Sequence, residues 1–241
     1  MTYRGFHYRI TLPLLAACAS CWLVTGANGA GILSMSALCL IVVIFTYPWD
    51  SWAVRRGVWD FPDDRLLRRI GVLPVEEIAF FVLQTLQVAC LTLAFLRWGT
   101  SSDISVTQID SGNLIAAGGV LLTAFLVHVL SRSARARRPE LTYAWHLGVW
   151  FLPLIGAQWV FAFDILAACG TAIAAATMII GTLLSVADVW AVKHGIWFFD
   201  ERQTLGVKLR GILPLEEVAF FYLTSLLVAQ SIVLFIPASL R

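Results

Sequence analysis

Residues 50–61 read DSWAVRRGVWDF and residues 188–199 read DVWAVKHGIWFF; shortly after each, GVLPVEEIAFFV at 71–82 returns as GILPLEEVAFFY at 211–222. The first pair agrees at seven of twelve positions and the second at eight of twelve, most of the remainder exchanging one aliphatic residue for another. The offset is 138 in the first block and 140 in the second, so the second loop has gained two residues. An internal repeat has to be settled before any motif is interpreted, because it means that one structural unit has been used twice. Each unit runs apolar segment, Asp-x-Trp-Ala-Val, basic pair, Gly, Trp, short polar loop, Gly-x-Leu-Pro-x-Glu-Glu, apolar segment.

The composition around these blocks decides the class. Apolar and aromatic residues make up 59% of the 241 and charged residues only 13%, against about 25% charged in soluble domains. A hydrocarbon core about 30 Å thick takes roughly 20 apolar residues in helix to cross. The spans that meet this are Ile10 to Val24, Ala30 to Trp49, Leu73 to Leu96, Gly112 to Leu130, Leu141 to Phe163, Ile165 to Ala187 and Leu213 to Ile236. The fifth contains Pro153 and is separated from the sixth only by Asp164, so these two are expected as a kinked or re-entrant pair or as two crossings. Helices 2 and 3 correspond to 6 and 7, and corresponding members lie four crossings apart, so both copies point the same way through the membrane. The expected fold is therefore an all-α integral membrane protein of about seven transmembrane helices. Two parallel three-helix repeats, residues 1–98 and 141–241, are joined by a linker, 99–140, whose helix 4 supplies the odd crossing. Both Glu-Glu pairs then sit at one depth on one face.

With seven spans, the N-terminus and the loops after helices 2, 4 and 6 share a side that holds 15 of the 17 basic residues, only Arg97 and Arg241 lying opposite. The positive-inside rule makes that side cytoplasmic and predicts a multi-pass protein of the cell membrane with a cytoplasmic N-terminus. The arginines between Arg132 and Arg138 are read as a topology anchor rather than a nucleic-acid site. Arg4 and Arg9 before an apolar run resemble a signal peptide, but the next span follows at once and a retained first helix is expected. Cys18, Cys21, Cys39, Cys90 and Cys169 all fall inside spans, as small core residues rather than a disulfide or zinc framework.

Pro74 and Pro214 fit the first turn of a helix, and Glu76, Glu77, Glu216 and Glu217 follow where the helix dipole favours negative charge. That is a structural account of the acids. A functional one competes with it, because carboxylates opening long apolar helices are costly and the duplication has kept both pairs. Adjacent helical residues point about 100° apart, so each copy offers one inward and one supporting acid. By their place after Pro-x, Glu76 and Glu216 are the expected inward acids, with Glu77 and Glu217 next. Carboxyls brought together in a desolvated pocket keep a proton available near neutral pH. Asp50 and Asp188 end helices 2 and 6 against the dipole preference, so each calls for a partner such as Arg55, Arg56, Lys193 or His194 and a supporting role. The aromatic residues Trp52, Trp59, Phe80 and Phe81, matched by Trp190, Trp197, Phe220 and Phe221, are expected to bind substrate, since π faces stabilise a cation without capturing it. His128 and His146 are read as satisfied core residues. No dinucleotide fingerprint, Walker motif or metal-ligand spacing is present, so neither metal nor cofactor is expected. Asp60, Asp63 and Asp64 have no acidic triplet opposite them in copy two, which argues against a magnesium-binding cluster.

The paired LPVEE at 73–77 and LPLEE at 213–217, with WAVRRGVWDF and WAVKHGIWFF upstream, resemble the membrane lycopene cyclases that occur as two small subunits or as one fused chain. The resemblance covers nearly the whole chain and matches the fused form, helix 4 standing as its linker. It implies a cofactor-independent isomerisation of a linear carotenoid, lycopene: an acid protonates a terminal double bond, the cation closes a six-membered ring, and a neighbouring proton is lost. The product it implies is β-carotene, formed through γ-carotene. Partners implied are the carotenoid, the lipid bilayer and other carotenoid enzymes, with no nucleic acid. The glutamates are the implied acids, and loss of activity is expected on Glu76→Gln or Glu216→Gln. Since both pairs lie on one face, one composite pocket is expected to treat the two ends of the substrate in turn. Two rivals are a proton-coupled transporter, with an aqueous path past the glutamates to both faces, and another carotenoid end-group enzyme, such as a hydratase or a cyclase of prenylated carotenoids. A cyclase calls for a lipid-accessible apolar tunnel ending at the acids.

Overall fold

The computed structural model describes residues 1–99, 110–131 and 137–238. Arg132, Arg135 and Arg241 of the charge pattern lie outside these described residues. Among the described residues seven helices are long and apolar enough to cross a membrane: α1 Tyr3–Gly26, α2 Gly29–Arg56, α3 Val75–Trp98, α4 Ser111–Leu130, α5 Pro139–Ala168, α6 Gly170–Lys193 and α7 Leu215–Phe235. The protein is an all-α membrane protein.

Helices α3 and α7 lie at the centre and pack on each other. Around them the contacts repeat: α1 packs on α3 as α5 packs on α7, and α2 packs on α3 as α6 packs on α7. Helix α4 packs chiefly on α5 and turns Leu114, Ile115, Leu122 and Phe125 outward, as a lipid-facing helix does. The α5–α6 boundary falls at Cys169 rather than at Asp164, with α5 kinked at Ala162 (φ −144°, ψ 50°). These are two separate helices and not a re-entrant pair.

The loops that follow α2 and α6 are built alike. Each helix ends on a left-handed glycine, Gly57 (φ 69°) and Gly195 (φ 65°), and the next amide bonds back over the last turn, Val58 to the Ala53 carbonyl at 3.0 Å and Ile196 to that of Ala191 at 3.1 Å. This Schellman-type closure reverses the chain, so that Trp59 and Trp197 fold back beneath the helix they follow. Short strands then pair across the two copies, β1 (Trp59–Asp60) antiparallel to β4 (Phe198–Phe199), with the equivalent residues Asp60 and Phe198 directly opposite. Each loop closes with a small hairpin, β2 (Arg69–Ile70) with β3 (Leu73–Pro74) and β5 (Lys208–Leu209) with β6 (Leu213–Pro214). The second hairpin turns through three residues, Arg210, Gly211 and Ile212, two of them at positive φ, where the first needs only Gly71 and Val72. One of the two added residues is thereby absorbed.

Pro74 and Pro214 stand at the cap positions, one residue ahead of the expected first turn, and Glu76 and Glu77 (likewise Glu216 and Glu217) occupy that turn. Asp60 and Asp63 are both held by Arg69, at 3.1 and 3.0 Å, and Asp64 by Arg65 at 3.3 Å. The aspartates brace a loop. Among the described residues no disulfide joins any of the five cysteines.

Candidate active site

The starts of α1, α3, α5 and α7 and the ends of α2 and α6 meet at one end of the bundle, around a narrow cavity of about 40 Å³. Two kinds of polar arm reach it, each in two copies. In the first, a tyrosine donates to a glutamate: Tyr3 Oη to Glu77 Oε2 at 2.5 Å, and Tyr143 Oη to Glu217 Oε2. In the second, an indole N–H donates to an aspartate: Trp59 Nε1 to Asp50 Oδ1 at 3.0 Å, and Trp197 Nε1 to Asp188 Oδ1 at 2.6 Å.

The arms cross between the repeats. Trp59 of the first copy packs on Tyr143 of the second, and Trp197 of the second on Tyr3 of the first, with ring centroids 5.0 Å apart in both cases. Neither copy therefore completes a site alone. The remaining wall is aromatic, with Trp49, Phe61, Phe80, Phe199, Phe220 and Phe221 facing the acids. Among the described residues, no lysine or arginine forms a salt bridge with Asp50, Glu76, Glu77, Asp188, Glu216 or Glu217. Such a pocket offers carboxyl groups and π faces without a fixed positive charge, which suits the handling of a carbocation and a proton. No group of three or more His, Cys, Asp and Glu among the described residues is arranged to hold a metal ion.

The order expected within each Glu-Glu pair is reversed. Glu76 and Glu216 turn away from the cavity to the preceding loop, where their Oε1 atoms accept the amides of Leu67 at 2.8 Å and Leu205 at 2.6 Å. The reason is geometric. With Pro74 and Pro214 at the cap, the second helical residue faces back to the loop and the third, Glu77 or Glu217, faces the bundle axis. Asp50 and Asp188 are completely buried, and the partner of each is a tryptophan nine residues on, not a basic residue. Of the expected aromatic set, Trp59, Phe80, Trp197, Phe220 and Phe221 line the cavity, whereas Trp52, Phe81 and Trp190 do not. His146 is buried with its Nε2 against the Trp49 carbonyl at 3.1 Å.

Tyr3 and Tyr143 escaped the sequence reading, although a signal was present. Thr2-Tyr3 and Thr142-Tyr143 recur at the offset of 140 that relates the glutamates, as do Leu12-Pro13-Leu14 and Leu152-Pro153-Leu154. What hid the match is that none of the eight positions between these pieces agrees, a stretch that α1 crosses with a π-helical turn over His7–Thr11. Such turns insert a residue without breaking the helix and gather at functional sites. Here the turn sets His7 between the Glu76 carbonyl (2.9 Å) and Thr11 Oγ1 (2.8 Å), fixing α1 against the start of α3.

Comparison with known proteins places this architecture. The family model described as lycopene cyclase matches residues 6–95 and again 140–235, the two stretches that carry the arms apart from Tyr3. The chain is 30% identical to a lycopene beta-cyclase of Halobacterium salinarum, over 90% of this chain and 86% of that protein. It is 28% identical to a bifunctional lycopene cyclase/phytoene synthase of Arthroderma gypseum, over 81% of this chain and 35% of the relative, and 28% identical to the one of Colletotrichum graminicola, over 97% and 40%. No solved structure matches. A repeated family match on both halves and a relative aligned over most of its length lead to one assignment: the chain belongs to the lycopene cyclase family.

Proposed function

We propose that the chain cyclises the ends of lycopene, giving β-carotene through the one-ring γ-carotene, and that Glu77 and Glu217 carry the proton chemistry. The observation that supports the roles is the crossing of the arms, which points both acids and their tyrosines into one aromatic cavity. A carboxylic acid donates its proton to the terminal double bond of the linear end group, leaving a tertiary cation. The neighbouring double bond supplies its electron pair to that cation, one carbon–carbon bond forms, and the positive charge moves into the new six-membered ring. A ring proton then returns to a carboxylate. One proton enters and one leaves, so the net change is isomerisation and no electrons are exchanged.

Tyr3 and Tyr143 hold the acids in place and share the negative charge left when the proton departs, a charge-assisted hydrogen bond being worth about 1.5–3 kcal/mol. The rings of Trp59, Trp197, Phe80 and Phe220 stabilise the cation electrostatically and cannot quench it. Asp50 and Asp188 position the tryptophans, and Glu76 and Glu216 hold the loops. The chain is read as two units, 1–98 and 141–241, joined by the linker 99–140. With both acids at one end of the bundle, the two ends of the substrate react in turn. The basic loop residues Arg65, Arg68, Arg69 and Lys208 lie at this same end, which supports a cytoplasmic N-terminus and placement in the cell membrane. Against a proton-coupled transporter stand the family membership and the apolar lining.

Expression in a lycopene-accumulating bacterium with pigment analysis tests this. Bicyclic product is expected, with one-ring pigment trapped at low enzyme level; unaltered lycopene in cells that contain the protein would overturn the reading.

A further inference from the structure

The acid cavity is narrow, yet beside it, between α2, α4 and α5, lies a second cavity of about 670 Å³. Trp49 lines both. Its indole is the middle of a stack that runs from one to the other. Trp52 and His146, on the large cavity, have ring centroids 3.9 Å apart; His146 lies 5.1 Å from Trp49 at 3°; Trp49 lies 5.3 Å from Phe220 at 2°, and Phe220 faces the acids.

We propose that this groove seats the conjugated chain of the linear carotenoid, and that the stack through Trp49 is the partition across which an end group reaches Glu217 and Glu77. The proposal rests on the cyclase reading and adds the place where the rest of the substrate lies. Flat aromatic faces suit a flat polyene, since extended π surfaces pack face to face with large area. The length fits part of it. From Phe45 to Arg56, both on the groove, α2 rises about 16 Å, roughly half of a forty-carbon chain that matches the hydrocarbon thickness of about 30 Å. The other half is left along α4 and α5, among lipid.

Two walls of the groove carry a helix-interior proline, Pro48 on α2 and Pro153 on α5. A proline removes one bond of the helical ladder and is where helices bend, so both walls have a place to give beside Trp49. The second copy does not repeat the walls of this groove. At the offset of 138, Phe45, Pro48 and Trp49 become Leu183, Val186 and Ala187, and α4 has no counterpart. Access is therefore one-sided, and a substrate with two like ends has to use the same seat twice.

The test fills the groove from the linker helix. Ala124 lines it, whereas Leu114 on the same helix is 64% exposed and does not. Ala124→Trp is expected to lower lycopene conversion at least tenfold while Leu114→Trp converts like the parent; equal conversion by the two variants would overturn the proposal. If Ala124→Trp fails to accumulate, labelling of Ala124→Cys by N-ethylmaleimide in vesicles decides instead. Lycopene in the vesicles is expected to slow that labelling several-fold, and an unchanged rate, as when a phospholipid chain fills the groove, overturns the seat. Should the parent protein not cyclise at all, the cyclase reading falls, and lycopene protection at position 124 still settles the groove.

Discussion

The two halves agree at the level of the acids and part company at the walls. Tyr3 and Tyr143 hold Glu77 and Glu217, and Trp59 and Trp197 hold Asp50 and Asp188, through the same atoms. One residue before each aspartate the resemblance ends, with Trp49 in the first half and Ala187 in the second. His7 bonds the Glu76 carbonyl, while His146 has moved to the Trp49 carbonyl and the ring stack. On the proposed reading, groups that meet the reacting carbons are held to one geometry by proton chemistry, whereas walls that meet only an apolar chain are free to diverge, and that divergence would give a doubled chain a single point of access.

The sharpest way to break the comparison is to strike the acids one half at a time. Glu77→Gln and Glu217→Gln should each lower cyclisation by about 10²–10⁴-fold, the usual range for general acid–base groups, measured as turnover of lycopene by purified protein. Comparable losses fit two interchangeable acids. A loss confined to one glutamine variant would split the roles and make the halves chemically unlike. Glu76→Gln and Glu216→Gln keep an acceptor for the Leu67 and Leu205 amides and should cost far less, reversing the order expected from the sequence.

A smaller effect follows at the tyrosines. Tyr3→Phe and Tyr143→Phe remove one hydrogen bond to a carboxyl group, about 1.5–3 kcal/mol, which corresponds to about 10–150-fold in rate if the bond is made fully in the transition state. The loss should appear in kcat rather than in KM, because the ring, which packs against the opposite tryptophan, is kept. Equal changes in both parameters would assign the tyrosines to binding alone.

The tryptophan–aspartate arms should act on stability first. Trp59→Phe leaves completely buried Asp50 without its indole donor, and an orphaned buried polar group costs about 1–3 kcal/mol. Thermal unfolding in detergent should report it, and Trp197→Phe should report the same for Asp188. Pairing Trp59→Phe with Asp50→Leu should restore much of the Tm, since removing both partners leaves no unsatisfied group. If the double variant melts as early as the single one, the aspartate has another structural task.

How much of this was legible beforehand depended on what kind of contact was involved. Seven spans, the shared direction of the two copies and the meeting of the Glu-Glu pairs at one end follow from length, hydropathy and the repeat. These are properties of whole segments and survive an error of several residues. The inward acid is not legible in the same way because it depends on whether Pro74 is the cap or the first helical residue, a shift of one position that rotates every later side chain by about 100°. The sequence places basic residues nearest Asp50, whereas its actual partner, Trp59, is brought back only by the chain reversal at Gly57. Tyr3 and Tyr143 are hard to pair because the eight positions between each Thr-Tyr and the following Leu-Pro-Leu share no identity, so the match stands on two short pieces. Trp49 shows no signal at all in the repeat, because its importance lies in having no equivalent.

The smallest expected effect probes a compensation between the halves away from the chemistry. On α6, a Cβ placed at Gly181 would lie 2.9 Å from the ring of Tyr222 on α7, so the glycine is what allows the two helices to meet there, as small residues do between membrane helices. The equivalent positions in the first copy are Val43 and Val82, a medium pair in place of a small and a large one. Tyr222 is also bound through its hydroxyl to Thr182 at 2.7 Å, which limits how far its ring can retreat. Gly181→Val should therefore lower stability by about 1 kcal/mol, the lower end of overpacking costs, read as a drop in Tm with turnover per folded molecule unchanged. Adding Tyr222→Val should recover most of it by copying the first half into the second. If the double variant recovers nothing, α2–α3 and α6–α7 pack differently at this level despite the repeat, and the likeness of the halves is confined to the end that holds the acids.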